Sequence, residues 1–293
     1  MSVLLGIQAI IAAGGAVFAF FFLKDYKDNR EKDTTGKQWA AYGAVGFGTN
    51  FFDTLGIGSF APTIAISKLF KLIPDKLIPG TLNVGFCLPV AAQAFIFLTI
   101  IEVETLTLVT MVGASIVGAV IGVKVLKGLP VKGIRITMGV GLFVAAFLML
   151  LSITGLFPTG GEALGLRGVR LVIAIVGNFI LGMVLPLGIG NYAPCMAMVY
   201  LLGLDPRVAF PVMMCTGGLV LMTSGIRFAQ EGIYNRKYAL AITIFGIPAV
   251  LIAAFIVRSM PLDVLRWLVL VVIVYTATTM LISAFKAEEK AAT

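Results

Sequence analysis

Two short stretches constrain this chain more than anything else in it. Gly56-Ile57-Gly58-Ser59-Phe60-Ala61-Pro62 returns 132 positions later as Gly188-Ile189-Gly190-Asn191-Tyr192-Ala193-Pro194. Each interrupts apolar sequence with two glycines and a proline. In lipid the backbone N–H and C=O groups freed by such a break find no water, so breaks persist only where protein encloses them or they line a cavity. A matched pair, one in each half of the chain, is the pattern of repeat-built membrane carriers whose sites lie at discontinuous helices.

Composition places those breaks in a membrane. Of 293 residues, 59% are hydrophobic and 12% charged, against about 25% charged in soluble domains; mean hydropathy is +1.05. Apolar runs of about 20 residues suit helical crossings and lack the alternation of barrel strands. The fold class expected is an all-α polytopic membrane protein. No histidine occurs, which excludes histidine metal sites and Ser-His-Asp chemistry. Cys87, Cys195 and Cys215 lie in apolar stretches without a Cys-x-x-Cys pair and read as small buried hydrophobes. No metal, cofactor, catalytic residue or nucleic-acid partner is expected.

The chain divides by pattern into an N-terminal transmembrane helix and charged loop (1–37), a first repeat (38–156), a linker (157–168), a second repeat (169–286) and a tail (287–293). The first apolar segment, 3–23, lacks a basic leader and cleavage site and reads as a retained helix. The mixed charges of 24–37 read as a solvated linker. Each repeat is expected to hold a broken-helix hairpin and three further spans: 77–100, 105–125 and 132–156, then 208–229, 238–257 and 262–285. The 132-residue register also aligns Ala65 with Ala197, Leu69 with Leu201, Leu72 with Leu204, Pro74 with Pro206, Pro79 with Pro211 and Gly85 with Gly217. One deletion later, Pro130 and Arg135 align with Pro261 and Arg266.

The net charge of +8 follows the positive-inside rule. The 24–37 loop, the 68–76, 124–135 and 227–237 turns and the C-terminal end from Lys286 hold 17 of the 22 basic residues. The opposite side keeps Arg167, Arg170, Arg207, Arg258 and Arg266 and no lysine. That places the N-terminus outside and the C-terminus in the cytoplasm, with one hairpin entering from each side, so the repeats are inverted. The expected location is the inner cell membrane, multi-pass.

Each break starts a new helix whose first N–H groups have no intrahelical partner and carry the positive end of the helix dipole. Two such ends make an anion site without lysine or arginine. The binding residues expected are Gly56, Gly58, Ser59, Phe60, Ala61 and Thr63 with Gly188, Gly190, Asn191, Tyr192, Ala193 and Cys195. The glycines allow close approach to the backbone, and each proline sits where its missing N–H costs nothing. Asp53 is the one acidic residue of 14 near a hairpin tip; its counterpart is Leu185. It reads as a proton-coupling group, a cap for the following helix, or a bystander in a wet vestibule. Asn50, Thr54, Asn83 and Cys215 are candidate cavity-lining residues. Gln93, Asn178, Thr216 and Ser224 read as interhelical hydrogen-bonding groups. Gly118-x-x-x-Gly122 reads as a helix contact, within the chain or in a homodimer.

The stretch from Gly46-Phe47-Gly48-Thr49-Asn50-Phe51-Phe52-Asp53-Thr54-Leu55 through Pro62, and Gly188 through Pro194 followed by Cys195-Met196-Ala197-Met198, resemble the TauE/SafE sulfite-exporter family of permeases. The resemblance runs from about Gly46 to the C-terminus. It implies transport of sulfite, sulfoacetate, another organosulfonate or thiosulfate, with export as the named activity, and no catalytic residues. The expected function is therefore a secondary transporter exporting such an anion, coupled to protons. The alternatives are an anion channel, an uptake permease for a sulfur oxyanion such as thiosulfate, a sodium-coupled carrier using Asp53, and, last, a membrane-embedded enzyme.

Overall fold

A computed structural model describes residues 2–29, 35–125, 131–156, 161–185 and 191–289. Among them the chain is helical, with no strand. The helices are α1 (Ser2–Asp28), α2 (Gly36–Thr54), α3 (Phe60–Leu69), α4 (Ile78–Gly85), α5 (Cys87–Ile100), α6 (Thr105–Val125), α7 (Val131–Ile153), α8 (Gly168–Val184), α9 (Tyr192–Leu201), α10 (Ala209–Glu231), α11 (Arg236–Ser259) and α12 (Leu262–Glu289). Among the described residues, seven helical stretches are long and apolar enough to cross a membrane, and large apolar side chains such as Phe20, Val120, Phe147 and Phe255 stand exposed on them. The architecture is that of a membrane-embedded helical protein. Helix bounds recur in the 132-residue register: α3 and α9 are both ten residues long and start at equivalent positions.

The chain forms two compact units that interleave in sequence. Unit 1 contains Met1–Ile100 and Met214–Ser259; unit 2 contains Ile101–Met213 and Met260–Thr293.

In unit 1, α2 lies along α11. The contact is close because Gly46 offers no side chain; a Cβ there would sit 2.7 Å from the Ile242 Cα. Tyr42 stacks on Tyr238 with ring centroids 4.5 Å apart, and the Tyr238 hydroxyl meets that of Ser67 at 3.1 Å. The predicted span at 77–100 is divided between α4 and α5 around Phe86. Pro89 has no N–H to offer Gly85 O, four residues earlier; the Thr243 hydroxyl of α11 donates to that carbonyl instead, at 2.9 Å.

The N-terminal helix runs beyond the expected 23, to Asp28. Asp25 is not solvated: Arg236 Nε and Nη2 donate to its two oxygens at 2.8 and 3.0 Å, and the Tyr234 hydroxyl donates at 2.5 Å. This bidentate pair fixes the end of α1 to the turn before α11. At the other edge of the loop, Thr35 and Gln38 form a capping box that starts α2. Residues 30–34 lie outside the described residues.

In unit 2, α6 lies along α8 and α7 along α12. In the repeat register α8 is the counterpart of α2 and α6 of α11, so the two units are organised around equivalent helix pairs. Gly118, Gly122 and Gly182 let the α6 and α8 backbones meet; a Cβ on Gly182 would sit 1.9 Å from Ser115 O. The Gly118-x-x-x-Gly122 element is thus used inside the chain. The linker after the first repeat is pinned in place. Glu104 N donates to Leu164 O at 2.8 Å, Leu166 N to Thr107 Oγ1 at 2.9 Å, and Asp205 N to Ala163 O at 2.9 Å. The Arg167 guanidinium grips the Glu104 carboxylate with two nitrogens and holds it below the usual carboxylate range.

Candidate functional site

The first break is built from two helix ends. Helix α2 closes in a Schellman motif: Gly56 N donates to Asp53 O at 2.8 Å and Ile57 N to Phe52 O at 3.1 Å. That closure puts Gly56 at φ 95°, where glycine carries no steric penalty. Gly56 therefore serves the chain reversal first. Gly58, at φ 88°, has nothing within 4 Å of where a Cβ would stand. It is the more open of the two.

Helix α3 begins after Ser59. Its first intrahelical bond runs from Thr63 N to Ser59 O at 3.1 Å. The N–H groups of Phe60 and Ala61 come before that first donor and have no acceptor within the helix, and Pro62 has no N–H to offer. Ser59 is buried and makes no side-chain cap to α3. The Thr63 hydroxyl is also buried and donates back to Ser59 O at 2.7 Å, so it supports the turn rather than facing outward. Phe60 lies against Phe86, with centroids 5.7 Å apart.

Asp53 sits in the last turn of α2, 2% exposed. Gln93 Nε2 on α5 donates to Asp53 Oδ2 at 3.0 Å and to Thr54 Oγ1 at 2.9 Å. The hydroxyl and the N–H of Ser59 also act on the carboxylate. Asp53 thus reaches across the break to Ser59, the residue preceding α3. Asn50, one turn earlier and fully buried, donates through Nδ2 to Gly46 O at 2.7 Å and to Ile242 O of α11 at 3.4 Å. The Thr54 hydroxyl donates to Asn50 O at 2.8 Å. Two amide oxygens in this group, Asn50 Oδ1 and Gln93 Oε1, are buried without a hydrogen-bond partner.

Asn50, Asp53, Thr54 and Ser59 are brought together, and Gln93 joins them. Its sequence reading, an interhelical bonding group, is what the structure shows, but its partner is the one membrane carboxylate. A polar side chain one turn after Pro89 was the signal. Asn83 stands apart from this group: the Ser224 hydroxyl donates to its Oδ1 at 2.6 Å. Cys215 is buried with a free thiol.

In unit 2, Gly188 and Gly190 lie outside the described residues. Asn191 precedes α9, is 2% exposed and makes no side-chain cap to it. Cys195 N donates to Asn191 O at 3.0 Å, matching Thr63 and Ser59 in the first repeat. Ala193 is buried, Tyr192 half-buried. The buried Cys195 thiol faces Asn178 Oδ1 at 3.9 Å. A cavity of about 360 Å³ opens among α7, α8 and α9, bordered by Met138, Leu142, Ile173, Pro194 and Met198. Its wall is apolar and offers nothing to an anion.

Compared with models of protein families, with curated proteins and with solved structures, the chain gives no match in any of the three.

Proposed function

We propose that the chain is a secondary transporter for a small sulfur-containing oxyanion, sulfite or an organosulfonate, exported across the inner cell membrane and driven by a cation gradient acting through Asp53. Protons are the ion expected from the sequence. The anion is bound through the N–H groups at the start of α3, aided by Ser59; the start of α9, with Asn191 and Tyr192, offers donors of the same kind. One observation carries the reading: the N–H groups of Phe60 and Ala61 come before Thr63 N, the first intrahelical donor of α3, and follow closely on an open, left-handed Gly58. Such a helix start favours an anion by its dipole and its donors together. The sulfur chemistry rests on the resemblance at residues 46–62 and 188–198. The repeat is supported by the coincident bounds of α3 and α9 and by the equivalent pairs α2–α11 and α8–α6; its inversion rests on the distribution of basic residues along the sequence.

An anion channel with the same donors is the second reading. The test is purified protein in liposomes under an imposed pH or sodium gradient. Accumulation of sulfite, sulfoacetate or thiosulfate above the external concentration supports a carrier. Flux that only equilibrates supports the channel, and no movement of any of these anions removes the substrate assignment. Cysteine labelling of the turns at 101–104 and 232–235 tests the inverted topology, which requires them on opposite membrane faces.

A further inference from the structure

Gln93 Nε2 donates to the Asp53 carboxylate at 3.0 Å, and the hydroxyl and N–H of Ser59 lie near enough to favour its charge. Among the described residues no lysine or arginine pairs with it. The ionisable groups on the surrounding elements are Lys37 and Tyr42 on α2, Lys68 on α3, Cys87 on α5, and Arg236, Lys237, Tyr238 and Arg258 on α11; none acts on Asp53. Beside this uncompensated carboxylate lies Gln93 Oε1, an acceptor with nothing to accept, on a residue that is fully buried. The orientation of the amide is set by its neighbours. Turning it over would point Oε1 at the Asp53 carboxylate and at Thr54 Oγ1, whose hydrogen is given to Asn50 O. Asn50 is fixed likewise, since its Nδ2 serves two carbonyls, and its Oδ1 is a second buried acceptor without a donor. An unpartnered buried acceptor calls for a missing partner.

We propose that the C-terminal end of α2 holds a small monovalent metal cation, ligated by the Asp53 carboxylate and by Gln93 Oε1. Asn50 Oδ1, one turn earlier on α2 and also without a donor, is the further oxygen available. The donor set is all oxygen and contains one carboxylate, which suits a singly charged hard cation. Among the described residues no cluster of three acidic, histidine or cysteine side chains exists to hold a multivalent metal. The C-terminal end of a broken helix, with its negative dipole and unwound carbonyls, is where membrane carriers hold coupling cations.

The position also supplies a coupling mechanism, and this step rests on the anion-transport reading. Without a cation, Asp53 presents its negative charge to the residue that starts α3 and so repels an anion there. With a cation in place, that charge is balanced and the α3 donors are free to take the anion. Cation and anion then occupy the two ends of one break, α2 and α3.

Equilibrium binding of radiolabelled sodium to the detergent-purified full chain, in the absence of any sulfur anion, tests the site. The expected result is saturable binding that choline does not displace. It is abolished in Asp53→Asn and weakened on the order of tenfold in Gln93→Met. Gln93→Met keeps the carboxylate, so it reads the site even if Asp53→Asn fails to fold. No saturable binding to the wild type, or binding unchanged in both variants, overturns the proposal. In liposomes, sulfite accumulation driven by a pH gradient with no metal cation gradient also overturns it, and makes the proton the ion at Asp53, while leaving the transport reading intact. Sodium binding without sulfite movement does the reverse.

Discussion

Gln93 and Asp53 join two helices at the level of the first break. The amide nitrogen on α5 reaches the carboxylate on α2 at 3.0 Å and the adjacent Thr54 hydroxyl at 2.9 Å, all three residues being almost completely buried. Gln93→Leu removes the donor from both acceptors at once. A buried acceptor left unpaired costs about 1–3 kcal/mol, so the variant is expected to melt at a lower temperature than wild type in a fluorescence thermal scan in detergent. Gln93→Glu, which sets a second carboxylate against the first, is expected to melt lower still. A Gln93→Leu protein as stable as wild type would remove the bond from the account.

The glycines of α2 divide by what surrounds them. A side chain at Gly46 collides with the Ile242 backbone, whereas one at Gly48 meets nothing within 4 Å. Gly46→Val is expected to lose about 1–3 kcal/mol or more by overpacking. Gly48→Ala is expected to gain up to about 1 kcal/mol from helix propensity. Thermal scans of the pair check the α2–α11 contact directly, because both substitutions fall on the same helix.

At the break, Gly56 and Gly58 both stand at positive φ, but Gly58 has open space around it. Gly58→Ala is therefore strained only by its backbone, at a cost of about 1–2 kcal/mol. Folded protein is expected to be recovered, with weaker anion transport because the methyl group fills open space before α3 that the anion would need. Transport by Gly58→Ala at the wild-type rate would count against anion binding at this turn.

The Glu104–Arg167 pair gives a pH dependence with a definite sign. The guanidinium holds the Glu104 carboxyl below its unfolded value, which is about 4.3. Its contribution to stability is therefore fully present above that pH and is lost as the pH falls through the lowered folded value. The pair is exposed and the effect is small. Glu104→Gln is expected to abolish this part of the acid dependence, read as the difference between wild-type and variant melting temperatures from pH 7 down to about 3.

Much of the fold was readable because membrane sequence is governed by few rules. The paired breaks, the span lengths and the helix starts at 105 and 262 coincide with α3, α9, α6 and α12 because each is marked by glycine, proline or charge. The division of α4 from α5 was not readable: Pro89 announces a break, but where the freed carbonyl goes depends on Thr243, 158 positions away. The same holds for Asp25, whose mixed-charge surroundings read as a solvated loop until Arg236 and Tyr234 are placed beside it. At the site, Asp53 was found by elimination among acidic residues. Gln93 was seen only as an uncharged polar group, since nothing local tells which helix it faces. The Thr63 hydroxyl, expected among the binding groups, is taken by Ser59 O, a local choice that Ser and Thr side chains make readily within helices.

The most direct test of the account is counterflow. Liposomes containing the purified protein are loaded with unlabelled sulfite and diluted into a trace of radiolabelled sulfite. The account predicts a transient accumulation of label above its external concentration, as carrier-bound anion exchanges across the membrane, and its loss when the α3 start is blocked by Gly58→Ala. Label that never exceeds the external concentration, or an overshoot unchanged by that substitution, would contradict a carrier that binds its anion at the broken helix.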